Sequence, residues 1–299
     1  MAAFTLEWHI SADDSGKFVR EFLKEQSISK TALTDIKFAG GGIFINGTPV
    51  TVRHRLSKGE ILKVVFPPEA PSSDLQPENL PLHIVYEDAY LLVVNKPPYQ
   101  QSIPSRESSS GSLANALIYY YDSISHNATV HLVNRLDRDT SGLLLVAKHR
   151  HIHHLMSEQQ KAGKLKRIYE AIVHGDFAIE SGTIDAPIGR KDDSIIERQV
   201  REDGQKAVTH FKVVENVGKW THVQLQLETG RTHQIRVHLS HIGHPIVGDD
   251  LYGGERKEIA RQALHCCKLR FQHPMDKRKL VFDAEMPNDM KELLRKATI

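Results

Sequence analysis

The stretch from Pro67 to Pro81, PPEAPSSDLQPENLP, limits most strongly how this chain can fold. It is rich in proline, serine and acidic residues and has neither a helical nor a strand period. It therefore has no face to bury and cannot join a core. A chain of 299 residues interrupted in this way is expected to fold as two units, residues 1–66 and 83–299, with 67–82 as the linker. Hydrophobic residues make up 40% of the chain, enough for the larger unit to close over its own core.

The small unit reads as α+β. Val19, Phe22 and Leu23 share one face of a first helix, with Lys17, Arg20 and Lys24 elsewhere; Ala32, Leu33 and Ile36 share a face of a second, flanked by Lys30 and Lys37. Gly40-Gly41-Gly42 stops that helix. Ile43-Phe44-Ile45, Asn46-Gly47 and Pro49-Val50-Thr51-Val52 predict a hairpin, because Asn-Gly supplies the two left-handed residues of a tight turn. Ile61–Phe66 predicts a closing strand.

The large unit mixes elements without a regular βαβ repeat. Apolar runs at Tyr90–Val94, Leu143–Val146 and Tyr169–Val173 predict strands, and residues 112–121 and 149–162 predict helices. Val223, Leu225 and Leu227 alternate with polar residues as in a half-buried strand, after which Ile235, Leu239 and Ile242 switch to helical spacing. The expected fold class is α+β, with a mainly antiparallel mixed sheet flanked by helices.

Three segments look chemical. His131-Leu-Val-Asn-Arg-Leu-Asp-Arg-Asp-Thr-Ser-Gly142 packs two arginines and two aspartates into a loop that feeds an apolar strand. Such spacing can hold a carboxylate ionised and aimed, or it can be a salt-bridged turn capped by Thr140 and Ser141. Glu228-Thr-Gly-Arg-Thr-His-Gln-Ile-Arg-Val-His238 turns sharply at Gly230 and brings Arg231 to a helix N-terminus, where an anion is favoured. Gly248-Asp-Asp-Leu-Tyr-Gly253 is a turn-rich loop.

Together these segments resemble the RluA-type pseudouridine synthases. Asn134-Arg-Leu-Asp-Arg-Asp-Thr-Ser-Gly-Leu143 is similar to that family's signature. With it, the opening YEDAYLLVVNKP at 86–97 and then GRTHQIR at 230–236, GDDLYG at 248–253 and LHCCKLRFQHP at 264–274 make five motifs in family order. Residues 12–66 resemble an S4-type RNA-binding domain, with Lys17, Arg20, Lys30 and Lys37 as candidate RNA contacts. Three positions depart from the family pattern: Asn134 where histidine is common, Tyr99 where glycine usually follows Lys-Pro, and Arg167 where lysine is usual.

The resemblance implies an enzyme that isomerises uridine in structured RNA. Asp137 is implied as nucleophile, Arg231 as its ion-pair partner, and Tyr169 as a ring stacked on the base that helps remove the C5 proton. Ile235 is the apolar floor, and Arg135 the side chain that fills the vacated stack or grips a phosphate. Arg236, Thr140 and Lys96 are assigned to the substrate side. A carboxylate can attack either the sugar or the ring, and Asp139 is the alternative nucleophile. The reaction breaks N1–C1′ and joins C5 to C1′ without redox change, so no cofactor is expected. The implied partner is RNA, large-subunit ribosomal RNA first and transfer RNA second, met by a monomer.

A metal enzyme is the rival reading. His238, His241 and His244 recur at three-residue spacing and His151, His153 and His154 cluster, but Gly243 and Pro245 end the helix before His244, and no HExxH motif exists. No metal is expected. A second rival is an RNA-binding protein without catalysis, which the intact Asp137, Arg231 and Tyr169 argue against. The net charge of +2 permits an RNA partner without requiring one. Cys266 and Cys267 are adjacent and cannot start a disulfide framework, the N-terminus lacks a signal-peptide pattern, and no apolar run suits a membrane span. These features predict a cytoplasmic protein with no membrane association.

Overall fold

A computed structural model describes residues 3–69, 75–105 and 108–297. The N-terminal unit contains β1 (Thr5–His9), α1 (Val19–Glu25), α2 (Lys30–Phe38), β2 (Gly42–Ile45), β3 (Thr48–Pro49) and β4 (Ile61–Val65). The strands form one antiparallel sheet in the order β1-β4-β2-β3. Val19, Phe22 and Leu23 of α1 are buried as their spacing predicts, whereas α2 fully buries only Ile36. The hairpin turns at Asn46 and Gly47, with φ of 47° and 83°. Asn46 also accepts a hydrogen bond from the Ile61 amide through its side chain, which ties the turn to β4. Strand β1 carries no clear period in the sequence, and its Leu6 points into the same core.

The larger unit continues with β5 (Ile84–Glu87), β6 (Leu91–Lys96), α3 (Leu113–Ser123), β7 (His131–Leu132), β8 (Ser141–Ala147), α4 (Arg150–Lys161) and β9 (Lys166–His174). There follow β10 (Ser181–Asp185), β11 (Ile188–Arg190), β12 (Arg198–Val200), β13 (Val208–Val217), β14 (Trp220–Leu227), α5 (Gln234–His241), β15 (Leu264–Gln272), β16 (Lys279–Asp283) and α6 (Asn288–Ala297). Its main sheet runs β10-β13-β14-β9-β15-β8-β6-β5, with β16 added beside β15 and β7 beside β8. The β8–β15 pair is parallel and the other pairs of this sheet are antiparallel, which makes the fold the mixed, mainly antiparallel α+β architecture expected. Leu143–Val146 of β8 is wholly buried at the centre of this sheet, as a continuous apolar run requires.

Each unit has its own apolar cluster, and Phe4 and Met275 pack against both. Between the units Phe4 stacks on His149 with ring centroids 4.1 Å apart, Phe66 stacks on His151 at 5.2 Å, and Arg150 lies 3.6 Å from Asp35. Residues 70–74 at the centre of the expected linker lie outside the described residues. Its flanks are tied down: the Glu69 carboxylate accepts from the Arg150 amide, and Glu78 accepts from the Gly111 amide.

Burial at the inter-unit contact favours neutral imidazoles. Burial pushes His149 and His151 down to about 4. From about pH 6.5 down to 4 the unfolded chain takes up protons that these folded side chains refuse, so stability falls as pH drops through that window. Urea unfolding at pH 7 and pH 4.5 should show a loss of stability that is smaller in a His149→Gln/His151→Gln variant. The residual loss should come from groups such as His265, also pushed to about 4 by burial. An equal loss in both proteins would contradict the neutral contact.

Candidate active site

The loop between β7 and β8 carries the two aspartates, and the core holds it from behind. Ser102 Oγ donates to the Leu136 carbonyl at 2.6 Å and accepts from the Leu136 amide at 3.1 Å. Lys96 Nζ donates to three carbonyls, those of Pro97, Gln100 and Arg138. Arg261, 0% exposed, donates to the Asp139 carbonyl and is clamped bidentately by Asp289 of α6. Gly142 closes the loop at φ +112°, opposite Cys266 in the parallel β8–β15 pair, where a Cβ would stand 2.3 Å from the Cys266 carbonyl oxygen. Only glycine lets the two strands approach so closely.

Held this way, the two aspartates diverge. Asp139 turns inward, its side chain 7% exposed, and takes a bidentate pair from Arg138 at 2.8 and 3.1 Å. Burial works against its charge, but Arg138 and then Arg256 hold its carboxyl below the usual range. Asp137 turns outward, its side chain 28% exposed, into an open cavity of about 920 Å³ that Arg135, Tyr169, Arg231, His233 and Ile235 also line, with the more buried Asp139 at its wall.

The partner of Asp137 is Arg236, not Arg231. Arg236 Nη1 donates to Asp137 Oδ2 at 3.2 Å, and the same guanidinium makes two 2.7 Å bonds to Asp249. Its centre also lies 4.9 Å from the Tyr252 ring centroid. Burial opposes its charge, but Asp249 and then Asp137 hold its pKa above the ordinary arginine value. The reason for the exchange is local. Arg231 precedes the helix, is exposed, and donates through Nε to the Lys206 carbonyl. α5 begins only at Gln234, so Arg236 falls in its buried first turn. Gln234 pins the turn, accepting from the Arg231 amide and Thr229 Oγ1 and donating to the Val208 carbonyl and Thr209 Oγ1.

The other expected site residues separate similarly. Tyr169 of β9 and Ile235 lie at the cavity wall, both nearly buried, and burial raises the Tyr169 phenol well above its ordinary range. Arg135 is exposed at the cavity. Thr140 lines it too, accepting from Gln262 Nε2 at 3.2 Å. Lys96 is 1% exposed with its protons committed to two carbonyls of its own turn and one of the loop, so it braces the site instead of meeting a substrate. Burial pushes it down to about 7, while Asp137 and Asp139 pull in the opposite direction.

The three departures from the family pattern sit in different surroundings. Asn134 Oδ1 accepts from the Leu145 amide, Arg167 donates to the Thr229 carbonyl beneath Gly230, and Tyr99 adopts a left-handed φ of 66° with 55% exposure. A tyrosine at that φ carries strain that glycine would not.

In the N-terminal unit Arg20, Lys30 and Lys37 are exposed, but Lys17 is already paired with Asp14 at 2.9 Å and Glu25 at 2.7 Å. His238 is a satisfied core histidine, bonded to Thr209 Oγ1 and the Ala186 carbonyl. Among the described residues no group of three or more His, Cys, Asp or Glu could hold a metal.

The sequence marks Asp249 as part of a turn and a family-like motif but gives it no role, yet it carries the Arg236 pair. Asp249→Ala would leave a buried guanidinium with one partner and should cost about 3 kcal/mol in denaturant unfolding. Arg231→Ala, at an exposed site, should change stability by less than about 0.5 kcal/mol. Equal effects would contradict the assignment.

Comparisons with known proteins identify the family. Residues 90–241 match the family model described as RNA pseudouridylate synthase. The chain is 57% identical over 277 residues to the uncharacterized RNA pseudouridine synthase YjbO of Bacillus subtilis (strain 168), covering 93% of this chain and 98% of that protein. It is 37% identical over 267 residues to the ribosomal large subunit pseudouridine synthase D of Pasteurella multocida (strain Pm70), covering 84% and 82%. Among solved structures it is similar to human RNA pseudouridylate synthase domain containing 1, with a TM-score of 0.57 and 25% identity, covering 76% and 96%. The chain belongs to the RluA-type pseudouridine synthase family and is an RNA-isomerising enzyme.

Proposed function

We propose that this enzyme converts specific uridines of structured RNA to pseudouridine with Asp137 as nucleophile, and that its substrate is large-subunit ribosomal RNA. The observation carrying this reading is the contrast between the two aspartates: Asp137 meets the cavity with a single arginine partner, while Asp139 is locked into the loop. The relatives named as ribosomal large subunit pseudouridine synthase D, 36–38% identical, support the choice of RNA; transfer RNA is the alternative.

The chemistry follows from the side chains. Arg236 keeps the Asp137 carboxylate ionised and aimed. The target uridine leaves its stack at a cost of a few kcal/mol and enters the cavity against Tyr169 and Ile235. Tyr169 is a base-stacking ring that assists loss of the C5 proton, and Arg135, exposed beside Asp137, fills the vacated stack or grips a phosphate. N1 gains a proton as C5 loses one, so the isomerisation balances without a cofactor. The N-terminal unit, residues 1–66, acts as an S4-like RNA-binding domain joined through 67–82 to the catalytic unit. Arg20, Lys30 and Lys37 are its phosphate contacts, in a salt-dependent grip. The enzyme works as a cytoplasmic monomer.

Pseudouridine mapping of total RNA from cells with and without the gene tests this reading. Discrete sites in large-subunit RNA should vanish on deletion and return with the wild-type gene but not with Asp137→Ala. Restoration by Asp137→Ala would overturn the nucleophile, and loss confined to transfer RNA would overturn the substrate. In vitro, Arg236→Ala should lower kcat about 100-fold or more. Arg231→Ala should weaken RNA binding without a comparable loss in kcat. The reverse ranking would restore Arg231 as the partner.

A further inference from the structure

One side chain beside the nucleophile has no part in the chemistry above. His233 caps α5 in a left-handed conformation, φ 58° and ψ 18°, which costs a non-glycine residue of order 1 kcal/mol. That backbone turns the imidazole into the cavity. Its Nδ1 lies 2.8 Å from Tyr252 Oη, which also accepts from the Arg198 amide at 2.9 Å. Its Nε2 lies 3.9 Å from Asp137 Oδ2, the same oxygen that accepts from Arg236. Among the described residues no side chain donates to Asp137 Oδ1.

These contacts define a direction. The Arg198 amide fills one acceptor site of the Tyr252 hydroxyl, and we assign that hydroxyl as the donor to His233 Nδ1. The imidazole proton then resides on Nε2, facing Asp137. We propose that His233 is a second positioning residue for Asp137: it and Arg236 both address Oδ2, so that Oδ1 is the oxygen presented to the substrate. The inference rests on Asp137 being the nucleophile.

The surroundings favour a neutral imidazole in this role. Burial lowers the His233 pKa, Asp137 and Asp249 partly offset that, and Arg236 and Arg198 add to the lowering. Arg236 already supplies the formal charge, so His233 adds direction. The arrangement also gives the GDDLYG loop a double function: Asp249 orients the arginine and Tyr252 orients the histidine. The 3.9 Å gap exceeds a hydrogen bond, and a small movement of Asp137 when RNA enters would close it.

The test uses RNA from a gene-deleted strain, labelled with tritium at C5 of uridine, so that turnover is read as tritium release whichever uridine is the target. His233→Gly keeps the left-handed backbone and removes the ring. The expected result is a kcat reduced about 10- to 100-fold, a KM within about twofold of wild type, and partial recovery of rate with added free imidazole. His233→Asn, which tolerates the same φ and retains an N–H donor, should fall between wild type and His233→Gly. If His233→Gly is unstable, His233→Asn decides instead, with wild-type KM and lowered kcat as the expected result. Unchanged kcat in the folded variant, or a loss confined to KM with no response to imidazole, would overturn the proposal. Asp137→Asn assayed in parallel separates the two assignments: if it is active, the nucleophile assignment fails; if it is inactive while His233→Gly is fully active, only the role of His233 fails.

Discussion

The site depends on one buried guanidinium. Arg236 is satisfied on one edge by Asp249 and reaches Asp137 with the other. An arginine desolvated to this extent would be costly if unpaired, so Asp249 is what makes its burial tolerable. Through it, a turn at 248–253 controls a carboxylate on a loop more than a hundred residues earlier. The planar fork of arginine suits the task, since one face can hold two parallel bonds while the remaining nitrogen points elsewhere.

A second constraint is the stiffness of the loop that carries the aspartates. Ser102, Lys96 and Arg261 each bind its backbone, the first two from the end of β6 and the turn that follows it, and the third from the segment before β15. Arg261 links the loop to α6 through Asp289, so the C-terminal helix helps hold a site it does not touch. With the backbone fixed, the choice between Asp137 and Asp139 becomes one of side-chain direction. The inward one pairs with Arg138 and is spent on structure; the outward one is left for chemistry. The site is preorganised in this sense: alignment is settled during folding and not during the reaction.

Much of this is legible in the sequence, and what is not has a physical explanation. The Asn46-Gly47 hairpin and the buried face of α1 follow from local conformational preference, which is independent of the rest of the chain. The buried run of β8 and the alternation in β14 can be read because burial imposes a period. The choice between Arg231 and Arg236 falls where period gives no answer. Both lie in GRTHQIR, and only the left-handed turn at His233 decides which one the helix directs inward. Lys96 resembles a substrate contact because charge near a motif suggests one, yet its carbonyl partners are supplied by loops that only the fold brings together. Lys17 reads as a free cation in the sequence, and the fold neutralises it with Asp14 and Glu25. Asp249 and Tyr252 read as members of a turn and of a family-like motif, but not as site residues, since their partners lie on α5 and at its start.

The central claim is that the fold spends Asp139 on structure and leaves Asp137 for reaction. The most direct measurement is tritium release from C5-labelled RNA by Asp137→Asn and Asp139→Asn, with unfolding curves recorded for both. The account predicts that Asp137→Asn is folded to wild-type stability and inactive, while Asp139→Asn loses stability and keeps measurable turnover in its folded fraction. An active Asp137→Asn beside a stable, inactive Asp139→Asn would contradict it.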